Sequence, residues 1–334
     1  MSMKMRELGN SGIEASVVGL GTFAIGGWFW GGSDEKDSIE AIHASIDNGV
    51  NLVDTAPIYG YGLSEKIVGK AVRDRRDKVV LATKTGLVWD DDKGEFFIYA
   101  DDKGPTGTPS KYTVYKNLRP ESIGIEIENS LRRLKTDYID LYQTHWQDAT
   151  TPVEVTMEKL LKLKDEGKIR AIGVSNITVK HLEEYGDLAS VQEKYSLIDR
   201  GIAENGVIDY CVDHGIAVLS YYTMEQGLLT GKMSPDRIFP DGDTRKTNEK
   251  FTPKNIRRVN DFLKKLGPYA DSYGCTIPQL VIALTASQRG VSHLLIGARN
   301  REQAVENVKG GFIELAPKDI ETMNKLVEKF LHEE

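Results

Sequence analysis

Four side chains in the 334-residue sequence stand just beyond or at the ends of β-branched runs: Asp54 and Tyr59 in NLVDTAPIYGYG, Lys84 in KVVLATKTG and His145 in LYQTHW. Their types suit one piece of chemistry, the protonation of an oxygen while hydride arrives at the adjacent carbon. A phenol, with its pKa near 10, is a poor acid at neutral pH, but a neighbouring ammonium favours the phenolate and is expected to lower that value. Lys84 can supply the charge, Asp54 can pair with Lys84 and reduce the cost of burying it, and His145 can orient a carbonyl toward Tyr59. Each residue alone has a plainer reading as cap, packing group or structural histidine. The set gains meaning only if the fold brings its members together.

The elements needed for that are visible in the pattern. Short apolar runs at 16–20, 50–54, 78–83, 137–143, 169–174, 189–192, 216–221 and 293–297 alternate with segments of helical spacing such as DEKDSIEAIHASIDNG and RPESIGIEIENSLRRL. Ser33 and Asp34 before Glu35, Pro120 at a helix start, and Gly49, Gly167 and Gly215 after helical turns punctuate the alternation. Eight strand-helix units without a linker predict one α/β domain spanning 1–334, a (β/α)8 TIM barrel, with MRELGNSGIEAS as an N-terminal β-hairpin. Chemistry in such a barrel sits at the carboxyl ends of the strands. Those ends carry Gly21 and Thr22, Asp54, Lys84, His145 with Trp146, Ser175 and Asn176, Gln192, Tyr221, and Gly297 to Arg299. Two polar stretches, 88–119 and 231–254, read as long loops for substrate or cofactor.

Hydride requires a cofactor, because no side chain supplies it. GLGTFAIGG lacks the G-x-G-x-x-G spacing, and GLLTGK is too short between its glycines for a P-loop. GARNREQAVEN at 297–307 offers backbone amides at a helix start together with the Arg299 fork, a pattern suited to phosphate. Composition narrows the partners. With 43 basic and 50 acidic residues the net charge is -7, so no positive field exists for nucleic acid or anionic lipid, and a small-molecule carbonyl or alcohol is expected. Cys211 and Cys275 lie far apart in segments read as helical, which argues for inert thiols and no metal cluster. The N-terminus lacks an apolar leader and no membrane span is expected, which predicts a cytoplasmic setting. The oligomeric state is left open.

GLGTFAIGG, NLVDTAPIYGYGLSEKIVGKAV, KVVLATKTG, SLRRLKTDYIDLYQTHW, GKIRAIGVSN, QGLLTGKM and LIGAR occur in the order seen in the aldo-keto reductases. The chain resembles that family, and within it the bacterial branch of general stress and inositol-cluster reductases. The resemblance implies carbonyl reduction with NAD(P)H and a tetrad at Asp54, Tyr59, Lys84 and His145, with Tyr59 as general acid. It implies that Ser175, Asn176 and Gln192 hold the nicotinamide carboxamide and that Tyr221 stacks on its ring. Gly21 and Thr22 would line the cofactor channel, Gly227 and Leu228 would lie beside the pyrophosphate, and Arg299, Gln303 and Asn307 would grip the adenosine end. Arg299 against a 2'-phosphate implies NADPH in preference to NADH.

The chain departs from the family at Tyr222, Thr223 and Met224, where many members have Ser-Pro-Leu, and at Ile296, where Pro is common. Trp28, Phe29, Trp30, Trp89 and Trp146 form a candidate aromatic pocket for a sugar or aryl carbonyl. Two alternatives compete: a Schiff-base aldolase built on Lys84, and a redox-sensing nucleotide-binding subunit with little turnover.

Overall fold

The computed structural model describes residues 2–333. β1 (Met5–Glu7) and β2 (Glu14–Ser16) pair as the antiparallel hairpin, and β3 (Val18–Gly21), β4 (Leu52–Asp54) and β5 (Val80–Thr85) follow. β6 (Leu87–Val88), β7 (Glu95–Ala100) and β8 (Tyr112–Lys116) form a sheet of their own. β9 (Ile139–Thr144), β10 (Ile169–Ser175), β11 (Ser190–Lys194), β12 (Ala217–Tyr221) and β13 (Val291–Gly297) complete the barrel. Its closed order is β10-β11-β12-β13-β3-β4-β5-β9, and every neighbouring pair is parallel. All eight expected strands are present, with ends shifted by a few residues.

The hairpin decides which end of the barrel is open. Leu8, Ile13 and Ala15 pack with the interior side chains Leu52, Leu141, Leu219 and Leu295, plugging the amino-terminal end with apolar surface. Gly9 at the turn has φ 56°, and a Cβ there would stand 2.3 Å from the Ala189 carbonyl oxygen. Arg6 fastens the hairpin by donating to the carbonyls of Val291 (2.7 Å) and Ser292 (2.9 Å). The carboxyl ends of the strands remain for a site.

The helices are α1 (Glu35–Asp47), α2 (Leu63–Ala71), α3 (Pro120–Leu134), α4 (Val153–Asp165), α5 (Val179–Tyr185), α6 (Gly201–Glu204), α7 (Val207–His214), α8 (Pro253–Ser272), α9 (Ile277–Ala286), α10 (Arg301–Lys309) and α11 (Pro317–His332). α1 starts where the Asp34 carboxylate accepts from the Asp37 amide at 2.9 Å, and α3 starts at Pro120, whose missing N–H costs nothing in a first turn. α3 turns Ile123, Ile127 and Leu134 inward, each burial stabilising by about 1.5–3 kcal/mol. α2 approaches α3 so closely that a Cβ on Gly69 would meet the Arg133 carbonyl oxygen at 2.6 Å, so Gly69→Ala would force the pair apart.

The two polar stretches are more ordered than loops. Residues 88–119 contain most of a three-stranded antiparallel sheet, β6-β8-β7, turned at Gly94 (φ 102°). In 231–254, short 3-10 turns at Thr244–Lys246 and Glu249–Phe251 are opened by the side chains of Asp243 and Asn248. Met233, Phe239 and Phe251 anchor this segment in a core shared with α8, α9 and α11. Cys275, expected on a helix, instead lies in the turn between α8 and α9. Cys211 on α7 is fully buried, and burial pushes its thiol up to about 12.

Candidate active site

At the open end, β4 and β5 set Asp54 and Lys84 side by side on the inner face of the barrel. Lys84 has no exposed surface. Its ammonium donates to Asp54 Oδ1 (2.9 Å), Asp54 Oδ2 (2.7 Å), the Thr55 carbonyl (3.0 Å) and the Tyr59 hydroxyl (3.3 Å). The turn after β4 carries Tyr59 back over the pair, and the His145 ring stands edge-on to it at 5.8 Å between centroids. The four residues expected to work together do meet.

Electrostatics differ from expectation at one point. Burial and the Asp54 carboxylate hold the Tyr59 phenol well above its ordinary value, whereas Lys84 was expected to lower it. Asp54 neutralises the ammonium, so burial dominates for both partners: Lys84 itself is held below its usual range. Burial first, and then the Lys84 charge, keep His145 well below 6.5, so its imidazole is neutral at pH 7.

Asp54, Tyr59 and His145 form one wall of a cavity of about 750 Å3, with Lys84 buried behind them. Gly21, Asp54, Tyr59, His145, Ser175, Asn176, Gln192, Tyr221, Gly227, Gly297, Arg299, Gln303 and Asn307 reach it, as do Trp28, Trp30 and Trp146. Thr22, Leu228 and Trp89 do not. Thr22 is fully buried and binds the Asp54 carbonyl and Ser64, and Leu228 packs in the core beside α8 and α9. Trp89 turns its ring toward Tyr61 and lines a smaller separate cavity.

Several of the lining residues are tied to each other. Asn176, in the left-handed region at φ 56°, donates to the His145 carbonyl (2.8 Å) and accepts from the Tyr221 hydroxyl (2.7 Å). Ser175 donates to the Gln192 carbonyl at 2.8 Å, and the Gln192 amide donates to Asp54 Oδ1 at 2.8 Å. At the opposite end Asn300 caps α10, Gln303 accepts from the Arg299 amide (2.9 Å), and Asn307 donates to the Gly297 carbonyl (3.1 Å). The Arg299 guanidinium donates to the Gly32 carbonyl (2.5 Å).

That end is cationic. Lys232, Arg237, Arg245 and Arg299 all line it; Arg245 is paired with Asp243 at 2.6 Å and Lys232 with Glu306 at 2.7 Å. Burial together with Arg245 and Arg237 lowers the Arg299 pKa. Gly21 and Gly297 face each other across the β3-β13 pair, and a Cβ on either would meet nothing nearer than 3.6 Å. Packing does not require them to be glycines. What their missing side chains leave free is part of the cavity.

The Aldo/keto reductase family model matches residues 17–328. The chain belongs to this family. It is 42% identical over 335 residues to an NADH-specific methylglyoxal reductase of Escherichia coli (strain K12), covering 98% of this chain and 99% of that protein. It is 40% identical over 307 residues to the aldo-keto reductase YhdN of Bacillus subtilis (strain 168), covering 90% and 86%. Among solved structures it resembles a glycerol dehydrogenase from Gluconobacter oxydans, with TM-score 0.82, 36% identity and coverage of 98% of this chain and 94% of that one. An aldo-keto reductase from Klebsiella pneumoniae in complex with NADP and acetate matches with TM-score 0.70 and 27% identity, covering 98% and 96%. As an aldo-keto reductase, this chain is an NAD(P)H-dependent oxidoreductase acting on small-molecule carbonyls.

Several residues at the site of this aldo-keto reductase escaped sequence reasoning. Gln143, fully buried, donates to Asp54 Oδ1 at 3.3 Å and stands 3.4 Å from the Gln192 amide. A polar amide two residues before His145, near the end of a strand, was its one signal. Arg237 and Arg245 lie in the polar 231–254 stretch, where nothing in the spacing marks them as lining residues. Among the described residues no cluster of His, Cys, Asp and Glu could hold a metal, and no helix is long and apolar enough to cross a membrane.

Proposed function

We propose that this aldo-keto reductase reduces an aldehyde or ketone to an alcohol with NADPH, Tyr59 giving the proton. The observation that carries the reading is Lys84, buried behind the cavity wall between Asp54 and the Tyr59 hydroxyl, both of which line the cavity. Nicotinamide, when bound, supplies hydride to the carbonyl carbon. Tyr59, kept protonated by its raised pKa, donates to the carbonyl oxygen, and Lys84 at 3.3 Å stabilises the phenolate as it forms. Asp54 keeps Lys84 charged and fixed. Neutral His145 donates a hydrogen bond that turns the oxygen toward Tyr59.

The donor set fits a dinucleotide. Ser175, Asn176 and Gln192 supply polar groups beside the tetrad for the carboxamide, and Tyr221 offers a ring face there. Gly21, Gly227 and Gly297 leave room for the pyrophosphate. Arg299, Gln303 and Asn307, with Arg237 and Arg245 near, surround the adenosine end, and this concentration of guanidinium favours a 2'-phosphate. The relative named NADH-specific makes this the point to test. Arg299→Ala is expected to weaken NADPH by about tenfold or more and NADH far less; equal weakening would remove the 2'-phosphate role.

Titrating intrinsic fluorescence with NADPH and then NADH, followed by turnover of a carbonyl panel, tests the whole reading. The names of the relatives place methylglyoxal and glycerol-derived carbonyls in that panel beside aryl aldehydes. Tight binding with turnover supports it, and no response to either nucleotide overturns it. A Schiff base on Lys84 is disfavoured by its burial: its Nζ is occupied by four oxygens and does not reach the cavity.

A further inference from the structure

Glu193 follows Gln192 on β11, and the pleat turns its side chain to the opposite face, out of the cavity and nearly free of solvent. It accepts from the Ile177 amide at 2.5 Å. Burial pushes its carboxyl up to about 7, against the pull of the Ile177, Lys194 and Asn176 amides. Among the described residues no cation pairs with it, and its partners are main-chain amides. A carboxyl buried without a counter-ion is costly to keep. What this one holds is the turn between β10 and α5.

Ser175, Asn176 and Ile177 make up that turn, and Asn176 stands in its left-handed conformation. The Asn176 amide donates to the Gln192 carbonyl (3.3 Å) and the Ile177 amide to Glu193, so both close onto the end of β11. On the other side the Ser175 carbonyl accepts from Gln147 Nε2 (3.2 Å), whose Oε1 accepts from the Tyr185 hydroxyl (2.8 Å). Helix α5 does not need this hold, because Thr178 caps it by accepting from the His181 amide (3.4 Å). The bonds serve the turn itself.

Asn176 is the group so aimed. Its side chain donates to the His145 carbonyl and accepts from the Tyr221 hydroxyl. A primary amide has two N–H donors and two lone pairs, so one of each remains for a carboxamide, which complements them. Resting on the carbonyl-reductase reading above, we infer that Glu193 is a positioning residue for the nicotinamide: through the Ile177 amide it keeps Asn176 in its left-handed turn and fixes where carboxamide and ring lie against the tetrad. Without that acceptor the buried Ile177 amide is left unpaired. The strain is relieved when Asn176 returns to an ordinary backbone conformation, which carries its side chain off Tyr221 and the His145 carbonyl. The adenosine end, held by Arg299, Gln303 and Asn307, shares none of these bonds.

The test titrates the full chain, by intrinsic fluorescence, with NADPH and NADH and with ADP-ribose and its 2'-phosphate, which carry everything but the nicotinamide. Glu193→Leu fills the space and removes the acceptor. It should raise Kd for both dinucleotides by about tenfold, the scale of one lost buried hydrogen bond, and leave both fragments within about twofold. Glu193→Gln keeps an acceptor oxygen for the Ile177 amide and should recover most of the affinity. In turnover with saturating nucleotide, kcat of Glu193→Leu should fall by about tenfold with KM for the carbonyl nearly unchanged, because the ring is misplaced and the substrate wall is not. Should Glu193→Leu not fold, Glu193→Ala, whose space a water can enter, decides in its place. Dinucleotides and fragments weakening together would overturn the inference, as would unchanged dinucleotide affinity or a Gln variant as weak as Leu. No response of the wild-type chain to either dinucleotide overturns the reductase reading and this inference with it, whereas the variant outcomes, read on a wild type that binds, overturn the inference alone.

Discussion

The floor of the site and its rim are held together in different ways. On the floor, Asp54 collects Lys84, Gln192 and Gln143 within 3.3 Å, all on strands of the barrel and all nearly free of solvent. Every member is fixed by a charge or an amide in a low-dielectric setting, where an unmade bond is costly. The rim is assembled from loops and the extra sheet. It is held by ring contacts, by single bonds to backbone carbonyls, such as Trp28 to Asp101 and Arg299 to Gly32, and by two ion pairs, Arg245 with Asp243 and Lys232 with Glu306. The contrast divides labour: the floor fixes the reaction, while the rim can vary what is admitted without disturbing it.

The largest expected break in that division is Tyr59→Phe. It removes the proton donor and leaves the rim whole, so kcat should fall by about 10^2 to 10^4, the range for a lost general acid, with nucleotide affinity nearly retained. Parallel loss of affinity in a fluorescence titration would mean that the floor also holds the rim. Next comes Lys84→Met. It leaves the buried Asp54 carboxylate without its counter-ion, with only the Gln192 and Gln143 amides to solvate it, and denaturant unfolding should show about 3–5 kcal/mol lost. A loss under about 1 kcal/mol would mean that water reaches the pair. The same pair sets the alkaline limb of reduction. Burial lowers Lys84 from 10.5 and raises Tyr59 from 10.0, so rising pH removes the Lys84 proton first, and the limb is expected below pH 10.5.

The floor was legible in the sequence and much of the rim was not, for a physical reason. Asp54, Lys84 and His145 stand at or just past the ends of short, largely β-branched and apolar runs, and the parallel barrel dictates that strand ends converge. The rim obeys no such rule. EFFIYA and YTVYK, which became β7 and β8, are half-buried on both faces and embedded among Asp, Lys and Gly, so their alternation is masked. Thr22 and Leu228 adjoin glycines that do reach the cavity, yet their side chains point into the protein, a distinction one residue finer than motif matching resolves. Trp89 fell outside the pocket because the extra sheet turned its ring to Tyr61.

A smaller effect tests how the floor is braced from behind. Glu126 on α3 accepts from the Thr85 hydroxyl (2.8 Å) and the Gly86 amide (2.9 Å), the residues directly after Lys84, and burial pushes its carboxyl from 4.5 to about 7. Between those values the folded chain keeps a proton that the unfolded chain has shed. Its contribution is therefore full below pH 4.5, declines as pH rises through 7 and is gone above, about 3 kcal/mol in all. Glu193, also raised to about 7, shares the window. Glu126→Gln should accordingly flatten part of the fall in unfolding free energy between pH 5 and pH 8. An unchanged slope would move the effect to Glu193.

The smallest effect sharpens the comparison most, because it alters the floor without removing a charge. Gln143→Leu keeps the volume that Gly173 leaves open, where a Cβ would stand 2.9 Å from Gln143 Cγ. It removes one amide donor from Asp54, costing about 1 kcal/mol of stability. With one donor fewer, the Asp54 carboxylate holds more of its charge for Lys84, so the ammonium keeps its proton to higher pH and the alkaline limb should move upward. Gln192, no longer beside the Gln143 oxygen, should present its amide less uniformly to the cofactor and raise the dissociation constant for NADPH and NADH alike. A change in stability with neither shift would show that Gln143 only fills space, and that the floor ends at Asp54, Lys84 and Gln192.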